Sequence, residues 1–310
     1  MKLLTIGTGA RGCALSDLMA KHGAKVNRAK LFKCYAIAND IEVLKSLRGV
    51  PERDRYHLAL HKQKDIGGVV NSILERYELF EGALVITSLE DDFGYVLGIE
   101  FAEKLKESIE EPILGLVTLP VESEQLAEMR RRIKEFRRAV DVLILFSEKE
   151  GVEKSIVDSL NLLSLVGEID LRKRKAGEVV VDTSDVFNAL MKEGVSAIGS
   201  SSRRLPFSWF RKLFMRKEYE IKGIRSQRMV DMLKEAYENL SIGIDVESAK
   251  SALIVFSGDP EEITMDGIFS CISLIEEMSP EAEVRYGDYP CKSRDLSLVL
   301  LYSGVTKLKF

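Results

Sequence analysis

The chain is poor in the residues that build metal sites and covalent frameworks: four cysteines and three histidines in 310 residues. Cys13, Cys34, Cys271 and Cys291 show no CxxC spacing, so neither a zinc site nor a disulfide framework is indicated. His22, His57 and His61 are scattered and read as surface or structural residues. No metal ligand is assigned. There is no run of 18 apolar residues and no signal peptide ahead of the first strand, so a cytoplasmic protein is expected. A net charge of −4 does not advertise a nucleic-acid surface, and no such partner is expected. Internal repeats and low-complexity tracts are also missing. Glutamine is scarce while Glu, Lys and Arg are plentiful, a balance that fits a thermophile.

What is present is a globular composition, 45% hydrophobic and 30% charged, long enough for two domains with their own cores. The first half alternates short apolar runs with helical patterns. Leu3, Leu4 and Ile6 open a buried strand, followed by Gly7, Gly9 and Gly12 in the spacing GxGxxG. Ala14, Leu15, Leu18 and Met19 then recur at helical spacing. Strand, glycine turn and helix aim backbone N–H groups at an anion, and the glycines let a phosphate approach without a Cβ in the way. Further strands are expected at Phe32–Ala38, Ala83–Thr87, Ile113–Thr118 and Val140–Phe146. Helices are expected at Ile41–Leu47, Val69–Tyr77 after Gly67 and Gly68, Tyr95–Lys106 and Glu122–Arg138. This alternation argues for an α/β, doubly wound parallel sheet, with ligands at the carboxyl ends of its strands. The loops there read GTGARG, AND, KQKDIGG, SLEDDFG and TLPVESE.

The second half begins with a long amphipathic helix, Val152–Ile169. It continues with EVVVDTSD, a helix Val186–Met191 stopped by Gly194, and a helix Met229–Leu240. Then come a strand Ala252–Phe256, a helix Met265–Glu277 and strands Glu283–Tyr286 and Leu296–Tyr302. A smaller α+β domain with an antiparallel or mixed sheet is expected. A dinucleotide-binding enzyme is one reading of the first half. Asp40 stands after the second strand, where a ribose-binding carboxylate belongs. However, it lies 28 residues beyond Gly12, and no hydride-transfer constellation accompanies it.

The order of these loops resembles the tubulin/FtsZ superfamily over nearly the whole chain. GTGARGCALSDLM, comprising Gly7, Thr8, Gly9, Ala10, Arg11, Gly12 and Cys13, resembles the family's first glycine loop. IANDIEVL, with Asp40, resembles INTDAQAL. VTLPVESE, with Thr118, Pro120 and Glu124, resembles VTKPFxFE. The longest match is VVVDTSDVFNALMKEGVSAIGSS against NxDFADVxxxMxxxGxAxxG, through Asp182, Asp185, Val186, Met191, Gly194, Ala197 and Gly199. The resemblance implies a Rossmann-like GTPase domain at 1–176, with a central helix at about 152–170, and a C-terminal domain at 177–310. It implies GTP or GDP as ligand, with magnesium, and head-to-tail self-assembly into filaments. It also implies that Asp182 and Asp185 enter the next subunit's nucleotide site and position the attacking water. Carboxylates suit that role because they accept a water's protons. Asp185 as a helix cap is the structural alternative.

The departures from the family are local. Its phosphate loop GGGTGTG should fall between Thr87 and Gly94, where this chain has TSLEDDFG. Glu90, Asp91 and Asp92 replace glycine and threonine. A carboxylate about 5 Å from a phosphate charge costs about 3 kcal/mol at an effective dielectric near 20, which is about a hundredfold in affinity. The family's Asn before the first catalytic Asp is Val180, its guanine-contacting Asn aligns with Asp158, and an Arg aligns with Glu128. The chain ends at Phe310, so the tail of cell-division FtsZ is expected to be missing. Arg203–Lys217 joins six basic residues to an aromatic set. Arg203, Arg204, Trp209, Phe210, Arg211, Lys212 and Phe214 are candidates for docking on a membrane surface or partner, or for packing with the charges outward. The expected function is a tubulin/FtsZ-like cytoskeletal protein with an altered guanine nucleotide site and slow or absent hydrolysis. The alternatives are a nucleotide-free scaffold or membrane-docking filament, and the dinucleotide enzyme.

Overall fold

The computed structural model describes residues 1–58, 64–76, 79–121, 125–166, 168, 183–205, 218–291 and 293–309. They form two compact units. One comprises Met1–Asn161 with Gly194–Ser196, the other Leu162–Glu193 with Ala197–Lys309. The division falls inside a helix that begins at Val152.

The first unit is built on β1 (Leu3–Thr8), all six residues of which are buried. A strand buried on both faces must be largely apolar, and LLTIGT meets that condition except at the buried Thr5, whose hydroxyl has no partner among the described residues. To one side of β1 lie β4 (Phe32–Ala38) and then β5 (Arg55–His57). To the other lie β6 (Gly82–Ser88), β7 (Ile113–Leu119) and β8 (Val142–Ser147). Every one of these neighbouring pairs is parallel. Connections run through α1 (Gly9–His22), α4 (Asp92–Ser108) and α5 (Leu126–Ala139), with the short α2 (Ile41–Ser46) and α3 (Lys64–Leu74) beyond β4 and β5. The chain order reverses between β1 and β6, and such a switch point opens a crevice at the carboxyl ends of the strands.

The strand Phe32–Ala38 was legible to the residue, because a run that is apolar at every position but Lys33 ends abruptly in Asn39 and Asp40. Before it, Lys25–Val26 and Ala29–Lys30 form a two-stranded hairpin. β5 is short and polar, so it offers no apolar run to recognise. Gly67 and Gly68 lie inside α3 and do not precede it.

In the second unit, β10 (Ser251–Gly258) pairs parallel with β11 (Glu283–Pro290) and antiparallel with β12 (Asp295–Val305). β9 (Val195–Arg204) lies beyond β12. The sheet is therefore mixed. α7 (Thr183–Leu190) packs on β10 and β12, and the helices Glu218–Glu238 and Met265–Met278 pack on each other. The first of these helices starts eleven residues before the expected Met229, over a charged stretch that lacks a clear apolar stripe. β9 hides in a polar sequence, SAIGSSSRR. Its Gly199 allows the Ala236 carbonyl to lie where a Cβ would sit, at 1.9 Å. This close approach of helix to strand is a physical reason for glycine at that position of the motif.

Candidate functional site

The crevice above β1, β4 and β6 is a cleft of about 760 Å³. Ala10 and Arg11 come from the first turn of α1. Ala38, Asn39, Asp40 and Val43 come from the end of β4 and from α2. Ser88 ends β6, Glu90 and Asp91 follow it, Asp92 and Phe93 open α4, and Glu148 follows β8. The cleft thus gathers the ends of three expected loops, GTGARG, AND and SLEDDFG.

Within the glycine turn, most residues serve the turn itself. A Cβ on Gly7 would lie 2.2 Å from the Gly12 carbonyl oxygen, and one on Gly12 would lie 2.2 Å from that of Ile86 on β6. These glycines let α1 sit close on the sheet. Thr8 donates its hydroxyl to the Gly94 carbonyl at 2.8 Å, stitching β1 to the start of α4. The Cys13 thiol is fully buried and faces the carbonyls of Gly7 and Ile37, both at 3.4 Å. Burial pushes this thiol up to about 12. Gly7, Thr8, Gly12 and Cys13 thus serve the packing of the turn, and none of the four is among the residues lining the cleft. Ala10 and Arg11 face the cleft.

Arg11 is already engaged. It makes a two-pronged pair with Glu148, at 2.7 and 2.5 Å, and reaches Glu153 of α6 (Val152–Leu165) at 2.8 Å. Hydrogen bonding to Glu148 raises the guanidinium pKa further, against burial. Two carboxylates thus more than neutralise the one arginine of the glycine loop.

The acidic replacements after β6 go three different ways. Asp91 is the N-cap of α4 and its Oδ1 accepts from the Gly94 N–H at 2.8 Å. Its Oδ2 accepts from the Ala10 N–H at 2.7 Å. Asp92 pairs with Arg132 at 2.6 Å, and Glu90 is exposed on the cleft wall. Of the three carboxylates expected to face phosphate, only Asp91 enters the glycine turn. Arg132 also donates to the Leu89 carbonyl at 2.7 Å and to Glu128 at 2.9 Å, which fastens this loop to α5. An outward rotation of the loop would break those bonds.

Asp40 is exposed at the rim and caps α2 by accepting from the Glu42 N–H at 2.8 Å. Gly94 is buried in the first turn of α4, next to the glycine turn. Pro120 is half-buried after β7 and does not line the cleft. Neither do Gly67 and Gly68: Gly67 is half-buried and Gly68 exposed along α3. Asp158 lies on α6 outside the cleft, with Lys154 at 3.9 Å. In the second unit, Asp185 sits in the first turn of α7, not at its cap, and pairs with Arg285 of β11 at 2.7 Å. Arg203 pairs with Glu235 at 3.5 Å and Arg204 is exposed at the end of β9. Asp182, Glu124, Trp209, Phe210, Arg211, Lys212 and Phe214 lie outside the described residues. Among the described residues no helix is long and apolar enough to cross a membrane. Sequence reasoning missed Glu148, Glu153 and Arg132. Each acts through a partner far away along the chain, and no local pattern signals that.

Comparison with known proteins follows the same outline. Tubulin-like protein CetZ1 of Haloferax volcanii is 26% identical, over 99% of this chain and 89% of its own length. CetZ3 of that organism is also 26% identical, over 98% and 88%. Among solved structures, the GDP-bound monomer of CetZ1 from Haloferax volcanii has a TM-score of 0.79 at 24% identity, covering 99% of this chain and 96% of that one. The GTPgS-bound protofilament of CetZ2 has a TM-score of 0.77 at 21% identity, covering 100% and 95%. An FtsZ dimer of M. jannaschii has a TM-score of 0.70 at 15% identity, covering 100% and 93%. The family described as "Tubulin-like CetZ, C-terminal domain" matches residues 147–309, just over half of the chain, and the protein belongs to the tubulin-like CetZ family.

Proposed function

We propose that this protein is a filament-forming CetZ that takes a guanine nucleotide into the cleft above β1, β4 and β6, with reduced affinity and slow turnover. The observation that carries the reading is the convergence of Ala10, Asp40 and the start of α4 at a switch-point crevice. Two helix N-termini turn their first N–H groups there, the ordinary environment of a phosphate. The relatives solved with GDP and with GTPgS, one of them as a protofilament, support the ligand class and the head-to-tail assembly. Asp182 and Asp185 then belong to the cleft of the next copy, where carboxylates orient water for attack on a γ-phosphate. Magnesium would come with the triphosphate, held by phosphate oxygens and few protein ligands.

A second reading, a scaffold that assembles without nucleotide, is favoured by one observation: the Ala10 N–H is already satisfied by Asp91. Titration of the purified chain with labelled GTP, GDP and NAD, with and without magnesium, separates the readings when paired with sedimentation of assemblies. Saturable GTP and GDP binding supports the first. Assembly with no nucleotide bound supports the second. Binding of NAD alone overturns both.

A further inference from the structure

We propose that Asp91 is the resident anion of the glycine turn, a side chain standing where a ligand phosphate would stand. The inference rests on the cleft being the nucleotide cleft, and it adds what the cleft does when no nucleotide is there.

α1 begins at Gly9 with no acidic residue in its first turn and no side-chain cap from Thr8. Its exposed N–H groups need an acceptor, and the positive end of a helix of 14 residues favours a negative one. Asp91 supplies it at 2.7 Å through Oδ2, while Oδ1 takes the Gly94 N–H of the second helix at 2.8 Å. One carboxylate therefore bridges two helix starts. A Cβ on Gly9 would lie 2.0 Å from Asp91 Oδ2, and the backbone there has φ +73°. The glycine that ordinarily makes room for a phosphate makes room here for a carboxylate.

Two neighbouring contacts keep the arrangement in place. Arg132 holds Leu89 and Asp92 on either side of Asp91, so the loop cannot swing outward cheaply. Arg11 is bound by Glu148 and Glu153, so the glycine turn has no free guanidinium to draw Asp91 away or to recruit phosphate. The turn is thus ordered without ligand, and an incoming phosphate competes with a tethered carboxylate for the same N–H groups. At fixed geometry a tethered competitor acts at high effective concentration.

The test is chemical rescue. Asp91→Gly removes the carboxylate and keeps an acceptable helix start. Asp91→Asn keeps the shape and removes the charge. Melting temperature and calorimetric affinity are measured with inorganic pyrophosphate and, separately, with GDP. The expected result is a lower melting temperature for both variants without ligand, restored by millimolar pyrophosphate that leaves the wild type unmoved. Affinity for both probes should rise at least tenfold. A gain for pyrophosphate but not for GDP supports the resident anion and overturns the guanine reading. Equal GDP affinity in wild type and folded variants, with no pyrophosphate gain, overturns the resident anion and leaves the guanine reading standing. Failure of every folded form to bind either probe overturns both. Should neither variant fold, hydrogen exchange on the ligand-free wild type decides: the Ala10 amide is protected if Asp91 holds it, and fast exchange there overturns the proposal.

Discussion

Arg285 on β11 donates Nη1–H to Asp185 on α7 at 2.7 Å, across 100 positions of sequence. The carboxylate that the motif marks as catalytic is thereby held in one orientation at a helix start. Both partners are about one-third exposed, so the pair contributes only about 0–1 kcal/mol to stability. Asp185→Asn should melt within about 4 °C of the wild type. Its GTP turnover under assembly conditions, followed by phosphate release, should fall at least about tenfold. Turnover unchanged in both Asp185→Asn and Asp182→Asn removes these residues from the mechanism.

Arg11 offers a second test. Glu148→Gln with Glu153→Gln releases its guanidinium into the cleft without much change of volume. A freed unit charge about 5 Å from a phosphate is worth about 3 kcal/mol at an effective dielectric near 20, and solvent screening reduces this. Affinity for labelled GDP should rise by roughly tenfold at low salt and by less at high salt. A gain that ignores ionic strength would point to rearrangement of the cleft.

Two glycines that the sequence marked as ligand contacts should respond in opposite directions to a methyl group. Gly12→Ala puts a Cβ 2.2 Å from the Ile86 carbonyl oxygen, on a backbone that cannot yield alone. The overpacking should cost about 3 kcal/mol, seen as a melting temperature lower by about 6 °C or more. Loss of nucleotide binding in a Gly12 variant would therefore report on folding and not on phosphate contact. Gly68→Ala meets nothing within 4 Å in the interior of α3. It should stabilise the chain by about 0.5–1 kcal/mol. A destabilised Gly68→Ala would restore a loop role for that position.

Acid sensitivity should centre on Asp17. Its Oδ1 accepts from the N–H groups of Arg48, Gly49 and Val50 at 2.9, 2.5 and 2.9 Å, and Lys21 reaches Oδ2 at 2.5 Å. Burial pushes this carboxyl up, but Lys21 and the Val50 and Gly49 amides outweigh it, so its pKa lies below the ordinary value. The folded state then favours the ionised form. That stability is present above the unfolded value of about 4 and is lost as pH falls through the folded one. The melting temperature should drop on acidification below about pH 4. Asp17→Asn should melt lower at neutral pH and show a shallower acid slope. An unchanged slope assigns the acid transition to other carboxylates.

The sequence by itself determined the layers and the place of the cleft. Runs such as LLTIGT and FKCYAIA are mostly apolar over a strand's length and end in residues that turn or cap. Such local signals survive without knowledge of any partner. The ordered motifs likewise marked the glycine turn, Asp40 and the acidic loop, because each is a short stretch of chain. Only the tertiary structure decided what those residues face. Asp91 meets Ala10 across 81 positions, and Arg11 meets Glu148 across 137. No spacing rule encodes contacts at that range. The same limit explains why Gly67 and Gly68 read as a loop yet lie within α3, whose neighbours tolerate them. It also explains why three carboxylates looked equivalent in the sequence. Their charges are alike, but one lies on two helix starts, one on an arginine and one in water. That difference comes from the packing of α4 against α1 and α5, where geometry assigns each carboxylate its partner.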